Sequence, residues 1–371
     1  MDQKIEWYSF SFWGDEKKYV NDALDSTWLS GGGYLEKFEK SLASKLELPN
    51  AFVVANGTAA LQLAFLTIDI KPGDEVIVPA FGFMAAANVL KLMHATPVFA
   101  DIDKDHWGIT SDSIAAKITD KTKAIVVIHN YGVVADMEAI KKLSLTKGLY
   151  LIEDCAESIF SKFDGKYCGS FGDLSTFSFH ATKTIATGEG GMVTCNTEQL
   201  ADRLKLIRSH GLRREKKHYW HEYYGNNFRL SNILAAIGLG QLEKCEEIIQ
   251  NKYRVVNRFK EGLKEESRIR FQSIPSECEP VIWAIAISIN SSSIDRDQVM
   301  IELTQNGIEC RPGFYTPDQL DLYNEGRVGD NFPIANTTAS SVIVLPSYPK
   351  LHDTEIDKIC GILKNILAKN G

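Results

Sequence analysis

Lys183 leaves an apolar run into a glycine-rich turn: Phe177-Ser-Phe-His-Ala-Thr-Lys183-Thr-Ile-Ala-Thr-Gly-Glu-Gly-Gly191-Met-Val-Thr194. Most lysines are solvated surface charges. This one has aromatic, small and glycine flanks, the setting of a desolvated amine whose pKa falls far enough for Schiff-base chemistry. Upstream, Leu149-Tyr-Leu-Ile152 is followed at once by Glu153-Asp154-Cys-Ala-Glu157. An acid in that place can cap the next helix, or it can hold a protonated heterocyclic nitrogen. Further upstream, Val53-Val-Ala55 runs into Asn56-Gly57-Thr58-Ala-Ala60. Gly57 admits a close backbone approach, and Thr58 adds a hydroxyl to the free N–H groups of a helix start, which suits either a phosphate or an ordinary cap. Each feature alone has a bland explanation. Together they supply a phosphate cradle, an acid for a ring nitrogen and an amine 29 residues after that acid, the inventory that pyridoxal 5′-phosphate needs.

The elements that would position these residues alternate between strand and helix. Ala51–Ala55, Glu75–Pro79, Pro97–Ala100, Ala124–Ile128 and Leu149–Ile152 are short, unbroken, β-branched runs, as in strands buried on both faces of a mostly parallel sheet. Helical patterns lie between them, at Thr58–Ile68 and at Asp136–Leu145, the latter with Asp136 as its cap. That rhythm predicts α/β architecture, with ligands beyond the carboxyl ends of the strands. After Asn232 the character changes. Ile233–Glu266 reads as one or two long helices, Val281–Ile287 and Val342–Leu345 as strands, a helix starts near Ser293, and Asp353–Ala368 is a last helix capped by Asp353 or Thr354. The division expected is a large domain over 1–245 and a smaller α+β domain over 246–371.

Composition narrows the function. The chain has 371 residues with 44% apolar and 24% charged, ordinary for a globular protein. Lys plus Arg is 41 against 48 for Asp plus Glu, a net charge of −7, so a nucleic-acid binder is not expected. The longest run without a polar side chain, Val76 to Ala87, is interrupted by Pro79 and Gly82 and is too short to span a bilayer. Met1-Asp-Gln-Lys-Ile5 has no apolar stretch of a secretory signal, and the seven cysteines contain no C-x-x-C. A cytoplasmic protein with reduced thiols is expected. Gly31-Gly-Gly33 opens no G-x-G-x-x-G helix, so a dinucleotide site is not.

The ordered motifs resemble the DegT/DnrJ/StrS family of sugar-nucleotide aminotransferases, which has the aspartate-aminotransferase fold (fold type I of the pyridoxal-phosphate enzymes). They are Ser26-Thr-Trp-Leu-Ser30, Asn56-Gly-Thr-Ala-Ala-Leu61, Pro72-Gly-Asp-Glu-Val-Ile-Val-Pro79, Phe81-Gly-Phe-Met-Ala85, Tyr131-Gly132, Glu153-Asp-Cys-Ala-Glu157, the stretch from Gly172 through Lys183 to Gly191, and Gly225-Asn-Asn-Phe-Arg229. The resemblance implies a bond between Lys183 and the cofactor's aldehyde, with Lys183 then acting as general acid and base. It implies that Asp154 pairs with the ring nitrogen, Phe83 stacks on the ring, Glu157 lies beside the 3-hydroxyl, and Gly57, Thr58 and Ser178 hold the phosphate. Asn227 would reach the phosphate in a neighbouring subunit, making the enzyme a homodimer with shared sites. Each of Phe83, Ser178 and Asn227 also has a plain reading, as core, strand or turn residue.

Within the family, Tyr219-Trp-His221, Trp283, and Arg311-Pro-Gly-Phe-Tyr315 followed by Tyr323 look most similar to members that aminate carbon 4 of a nucleotide-linked 4-keto-6-deoxy sugar, with L-glutamate as donor. Trp283, Arg311 and Tyr315 are the substrate-binding candidates that follow. Gly313 and Asp318 depart from those members, which usually carry a bulkier residue and a histidine there. Amination at carbon 3 is an alternative. Dehydration at carbon 3 belongs to relatives with histidine at the lysine position, and Lys183 argues against it. The basic loop Arg213–His218 could meet a diphosphate or simply be solvated.

Overall fold

A computed structural model describes residues 4–324 and 331–370 of the chain; most of the segment inspected above for a secretory signal, Met1–Gln3, lies outside the described residues. Among the described residues, fourteen strands form three sheets. The largest takes β1 (Phe52–Val54), β2 (Glu75–Pro79), β3 (Thr96–Ala100), β4 (Thr122–Ile128), β5 (Tyr150–Asp154), β8 (Leu174–Ser178) and β9 (Gly191–Cys195). A small sheet joins β6 (Lys162–Phe163), β7 (Lys166–Tyr167) and β11 (Cys278–Glu279), and a third joins β10 (Ile269–Phe271), β12 (Ile285–Ile289), β13 (Arg311–Pro312) and β14 (Val342–Leu345).

The large sheet runs β1-β9-β8-β5-β4-β2-β3. From β3 through β8 every pairing is parallel, while β8 with β9 and β9 with β1 are antiparallel. Helices cover both faces, which is why β5, β8 and β9 are buried at almost every residue instead of alternating. The Ala51–Ala55 run is thus an antiparallel edge, closed off by the chain near Arg229: Val54 bridges Arg229, and the Ala55 N–H donates to the Phe228 carbonyl at 2.7 Å.

Local signals set the helices. Asn56 accepts from the Ala59 amide and opens the Gly57–Thr67 helix; Asp136 accepts from Ala139 and opens Met137–Lys147; Ser231 accepts from Leu234 and opens Asn232–Glu243. The long pattern after Asn232 is two helices, Asn232–Glu243 and Cys245–Gly262, broken at Lys244. Two differences have physical causes. The Val281–Ile287 run becomes a strand only from Ile285, because the Trp283 amide and carbonyl are taken by Tyr131 and Lys252 instead of by a neighbouring strand. The last helix starts at Asp353, where Glu355 closes the turn by accepting from the His352 amide and the Asp353 carboxylate pairs with Arg254 instead of capping.

We put the division between the two parts at residues 245 and 246, where the Cys245–Gly262 helix begins. The strands of the large sheet all end by Cys195 and those of the four-stranded sheet all begin from Ile269, with a core that includes Val255, Phe259, Ile287, Ile343 and Leu363, while the small sheet pairs β11 with β6 across the division. The N-terminal segment crosses that line, since Ile5 bridges Ile308. Among the described residues no helix is long and apolar enough to cross a membrane.

Candidate active site

Register brings the chemistry-bearing residues to one edge. Asp154 ends β5 opposite Thr176 of β8; Ser178 ends β8 opposite Gly191; Gly191 in turn faces Val54, two residues before Asn56 and three before Gly57. Three stretches far apart in sequence therefore meet at the carboxyl end of the parallel strands, the ligand edge of an open α/β sheet. The turn from Ser178 to Gly191 carries Lys183 over that edge.

The Lys183 Nζ lies 3.6 Å from Glu157 Oε1 and 3.8 Å from the centre of the Trp283 ring. Burial pushes its pKa below the usual lysine value, against the pull of Glu157 and Asp154. The same burial raises both carboxyls, with Lys183 drawing each of them back. Asp154 Oδ1 accepts from the Ala156 amide at 3.1 Å, and Glu157 Oε2 from the Tyr131 amide at 2.9 Å. Tyr131 sits at φ 59°, a left-handed conformation that costs on the order of 1–3 kcal/mol for a non-glycine residue and collects at functional sites. Its ring lies parallel to Trp283 (6.4 Å, 4°) and to Phe314 (5.4 Å, 11°).

The phosphate end is a gap that side chains would close. A Cβ on Gly57 would come 3.0 Å from the Ser178 Cβ, and one on Gly191 would sit 2.6 Å from the Asn56 carbonyl carbon. The helix start at Gly57 points its first amides into that space beside Ser178 and the exposed Thr58. Phe83, 64% exposed, stands with its ring 6.4 Å from that of Phe314. A buried amine, a buried acid and an anion cradle along one sheet edge fit pyridoxal phosphate.

The other expected residues divide. Trp283 is half-buried against the lysine turn, its indole N–H donating to the Thr182 carbonyl at 2.7 Å. Arg311 connects to it through Trp7, whose ring lies 5.4 Å from the guanidinium and 6.0 Å from Trp283. Tyr315 is exposed. Asn227 is exposed on the chain that closes the β1 edge, where it accepts from the Arg229 amide, and no contact described for this chain joins it to Lys183. Arg213 of the basic loop is tied to Asp202 and Glu222 at 2.7 and 2.9 Å. Gly313 has a packing reason, since a Cβ there would be 2.8 Å from Val342 Cβ; Asp318 accepts from the Asn336 amide group. The sequence reading gave no role to Trp7, Tyr8, Tyr131, Phe314 or Lys252. For Lys252 a signal existed: it shares the stripe of Ile248, Val255 and Phe259, a lysine where the helix period demands an apolar residue.

Comparison with known proteins agrees with this geometry. Residues 13–364 match the model of the DegT/DnrJ/EryC1/StrS aminotransferase family. The chain is 41% identical over 354 residues to GDP-perosamine synthase of Escherichia coli O157:H7, covering 95% of this chain and 96% of that one. It is 38% identical over 367 residues to GDP-perosamine synthase of Vibrio cholerae, covering 96% and 98%. Among solved structures, the PLP form of Spr1654 from Streptococcus pneumoniae, a sugar aminotransferase by its description, superposes with a TM-score of 0.91 at 27% identity, covering 98% of this chain and all of the other.

Proposed function

The chain belongs to the DegT/DnrJ/EryC1/StrS aminotransferase family, and we propose that its substrate is a GDP-linked 4-keto-6-deoxy sugar, aminated at carbon 4 with L-glutamate as donor. The enzyme is a pyridoxal-phosphate-dependent sugar-nucleotide aminotransferase. The choice of nucleotide and carbon is supported by the similarity to two GDP-perosamine synthases over almost the full length of both chains. The observation that carries the chemistry is the Lys183 amine, its side chain only 12% exposed, held between Glu157 and the Trp283 face at the same sheet edge as Asp154.

The cofactor, when bound, supplies the electron sink that stabilises negative charge at the donor's α-carbon. The chain's residues do the rest. Lys183 would hold the cofactor at its aldehyde end and, when free, would take up and return a proton at its Nζ. Burial lowers its pKa and so favours the neutral form that a base requires. Asp154 would hold a proton on the ring nitrogen, and Glu157, anchored by the Tyr131 amide, would orient the ring's hydroxyl side. Gly57, Thr58 and Ser178 would bind the phosphate, and Phe83 would cover one ring face. Trp283, Arg311 and Tyr315 would border the sugar nucleotide.

Turnover of GDP-, dTDP- and UDP-linked 4-keto-6-deoxy sugars with glutamate tests the substrate. A pocket that hydrogen-bonds the base rejects an analogue lacking those groups strongly, so kcat/KM for the GDP sugar should exceed the others by at least about 100-fold. Equal rates across the three nucleotides, or a 3-amino product, would refute the assignment.

We also assign a homodimer with shared sites. Trp28, Tyr219, Trp220 and Tyr224 are large aromatic side chains left open to solvent, three of them on the loop just before Asn227. Sedimentation should give a dimer at micromolar concentration. If Asn227 of one protomer binds the other's phosphate, Asn227→Ala should keep the dimer and weaken cofactor affinity about tenfold to a hundredfold, one hydrogen bond to a charged group. A fully active monomer would refute the shared site.

A further inference from the structure

Lys252 is 4% exposed, and its Nζ donates to the Trp283 carbonyl at 2.5 Å and more weakly to the Ser347 carbonyl at 3.5 Å. Among the described residues no carboxylate pairs with it. The ionisable groups around it are Lys183, Tyr8 and Tyr348, which line the same cavity, with Glu157 and Asp154 next to Lys183. Burial, then the Lys183 charge, lowers its pKa to about 7. An apolar side chain would fill this place on the Ile248–Phe259 stripe at lower cost to the fold. Stability does not explain a lysine here.

Its contacts point to Trp283, which is held from four directions. The Trp283 amide donates to the Tyr131 carbonyl at 2.9 Å, the indole N–H to Thr182, the ring lies parallel to Tyr131, and the carbonyl is gripped by Lys252. The ring face produced by those four holds is the one the Lys183 Nζ rests on at 3.8 Å. Three of the holds come from the large part of the chain. Lys252 adds the fourth from the Cys245–Gly262 helix, and through Ser347, which also accepts from the Ile285 amide, it fixes Trp283 relative to β12 and β14.

We propose that Lys252 is a positioning residue of the transamination: by gripping the Trp283 carbonyl it keeps the indole face against Lys183 and so aims the reactive amine. This rests on the reading of Lys183 as that amine. Misplacing a reacting group by about 1 Å can cost ~100-fold, so loss of the grip should slow both bonding of the cofactor to Lys183 and turnover.

The test uses Lys252→Met, neutral and similar in length, and Lys252→Gln, which keeps an N–H donor on a shorter stem. The apo form of each is mixed with pyridoxal phosphate, quenched with borohydride at timed intervals and peptide-mapped; steady-state kinetics and thermal melting accompany it. The Met variant should melt no lower than wild type at pH 7, label Lys183 about tenfold more slowly, and lose kcat with KM for both substrates nearly unchanged. The Gln variant should fall between. A Met variant that melts far below wild type would make Lys252 a structural anchor and overturn the proposal. So would wild-type labelling and kcat in a stable Met variant. If wild-type enzyme carries its label on another lysine, the failure belongs to the Lys183 assignment instead.

Discussion

Lys183→Ala should fold, bind pyridoxal phosphate non-covalently and lose at least about 10⁴-fold in kcat, the upper end of what one acid–base group supplies, because on the proposed reading this amine would both hold the cofactor and move the proton. Its surroundings single it out from the other lysines: burial, Glu157 at 3.6 Å and the Trp283 face at 3.8 Å. Borohydride should fix cofactor to wild-type enzyme and leave the variant unlabelled, and a small primary amine added to the assay should restore part of the rate. Stability supplies an independent readout. The folded pKa of Lys183 lies below its ordinary 10.5, so between the two values the unfolded chain binds more protons and wild-type stability rises with pH. Alanine removes that dependence. Melting should therefore show the variant ahead of wild type near pH 7, with the gap closing as pH approaches 10.5. Near-normal turnover in Lys183→Ala would end the assignment.

Much of this site was legible in the sequence because its parts lie where strands end. Glu75–Pro79 and Val342–Leu345 are strands over the very residues whose β-branched runs predicted them, and Asp154 and Gly57 each stand two residues past the end of such a run. What periodicity could not give is which strands neighbour each other. The placement of β1 beside β9, which brings Gly57 to Ser178, depends on a pairing across more than a hundred residues. The aromatic bed under Lys183 was hidden for a related reason. Trp7, Tyr131, Trp283 and Phe314 come from four separate segments and are gathered only by folding. Tyr131 further depends on a left-handed backbone that no local pattern announces. Glu153 and Asp154 make the same point in adjacent residues. Both look alike in sequence, yet Glu153 turns to the other face, where it accepts from the Gly169, Phe171 and Gly172 amides and pairs with His129 at 3.2 Å. The alternation of a strand, and nothing in their chemistry, turns one acid into the fold and leaves the other within reach of the Lys183 charge.

Asp154→Asn should therefore bind cofactor and melt close to wild type while transamination falls about 100-fold or more, the usual cost of removing one preorganised electrostatic stabiliser. A ring nitrogen that stays protonated draws electrons from the donor's α-carbon as its proton leaves, and a buried carboxylate keeps it protonated by charge pairing. Burial raises the Asp154 pKa in the protein alone, so the pairing stabilises charge on both partners: the cation holds the carboxylate ionised, and the carboxylate holds the ring protonated. Asparagine fills the same volume and offers a similar acceptor to the Ala156 amide, now satisfied by Asp154 Oδ1 at 3.1 Å, but it carries no charge. If Asp154 were only a cap for the turn after β5, asparagine would serve nearly as well and turnover would be kept. The half-reaction with glutamate separates the two accounts, because it isolates the proton-transfer step from sugar binding. Its rate should fall in the variant without recovery at saturating glutamate, and lowering the pH, which protonates the ring from solvent, should narrow the gap to wild type. A half-reaction at wild-type rate would leave Asp154 with capping alone.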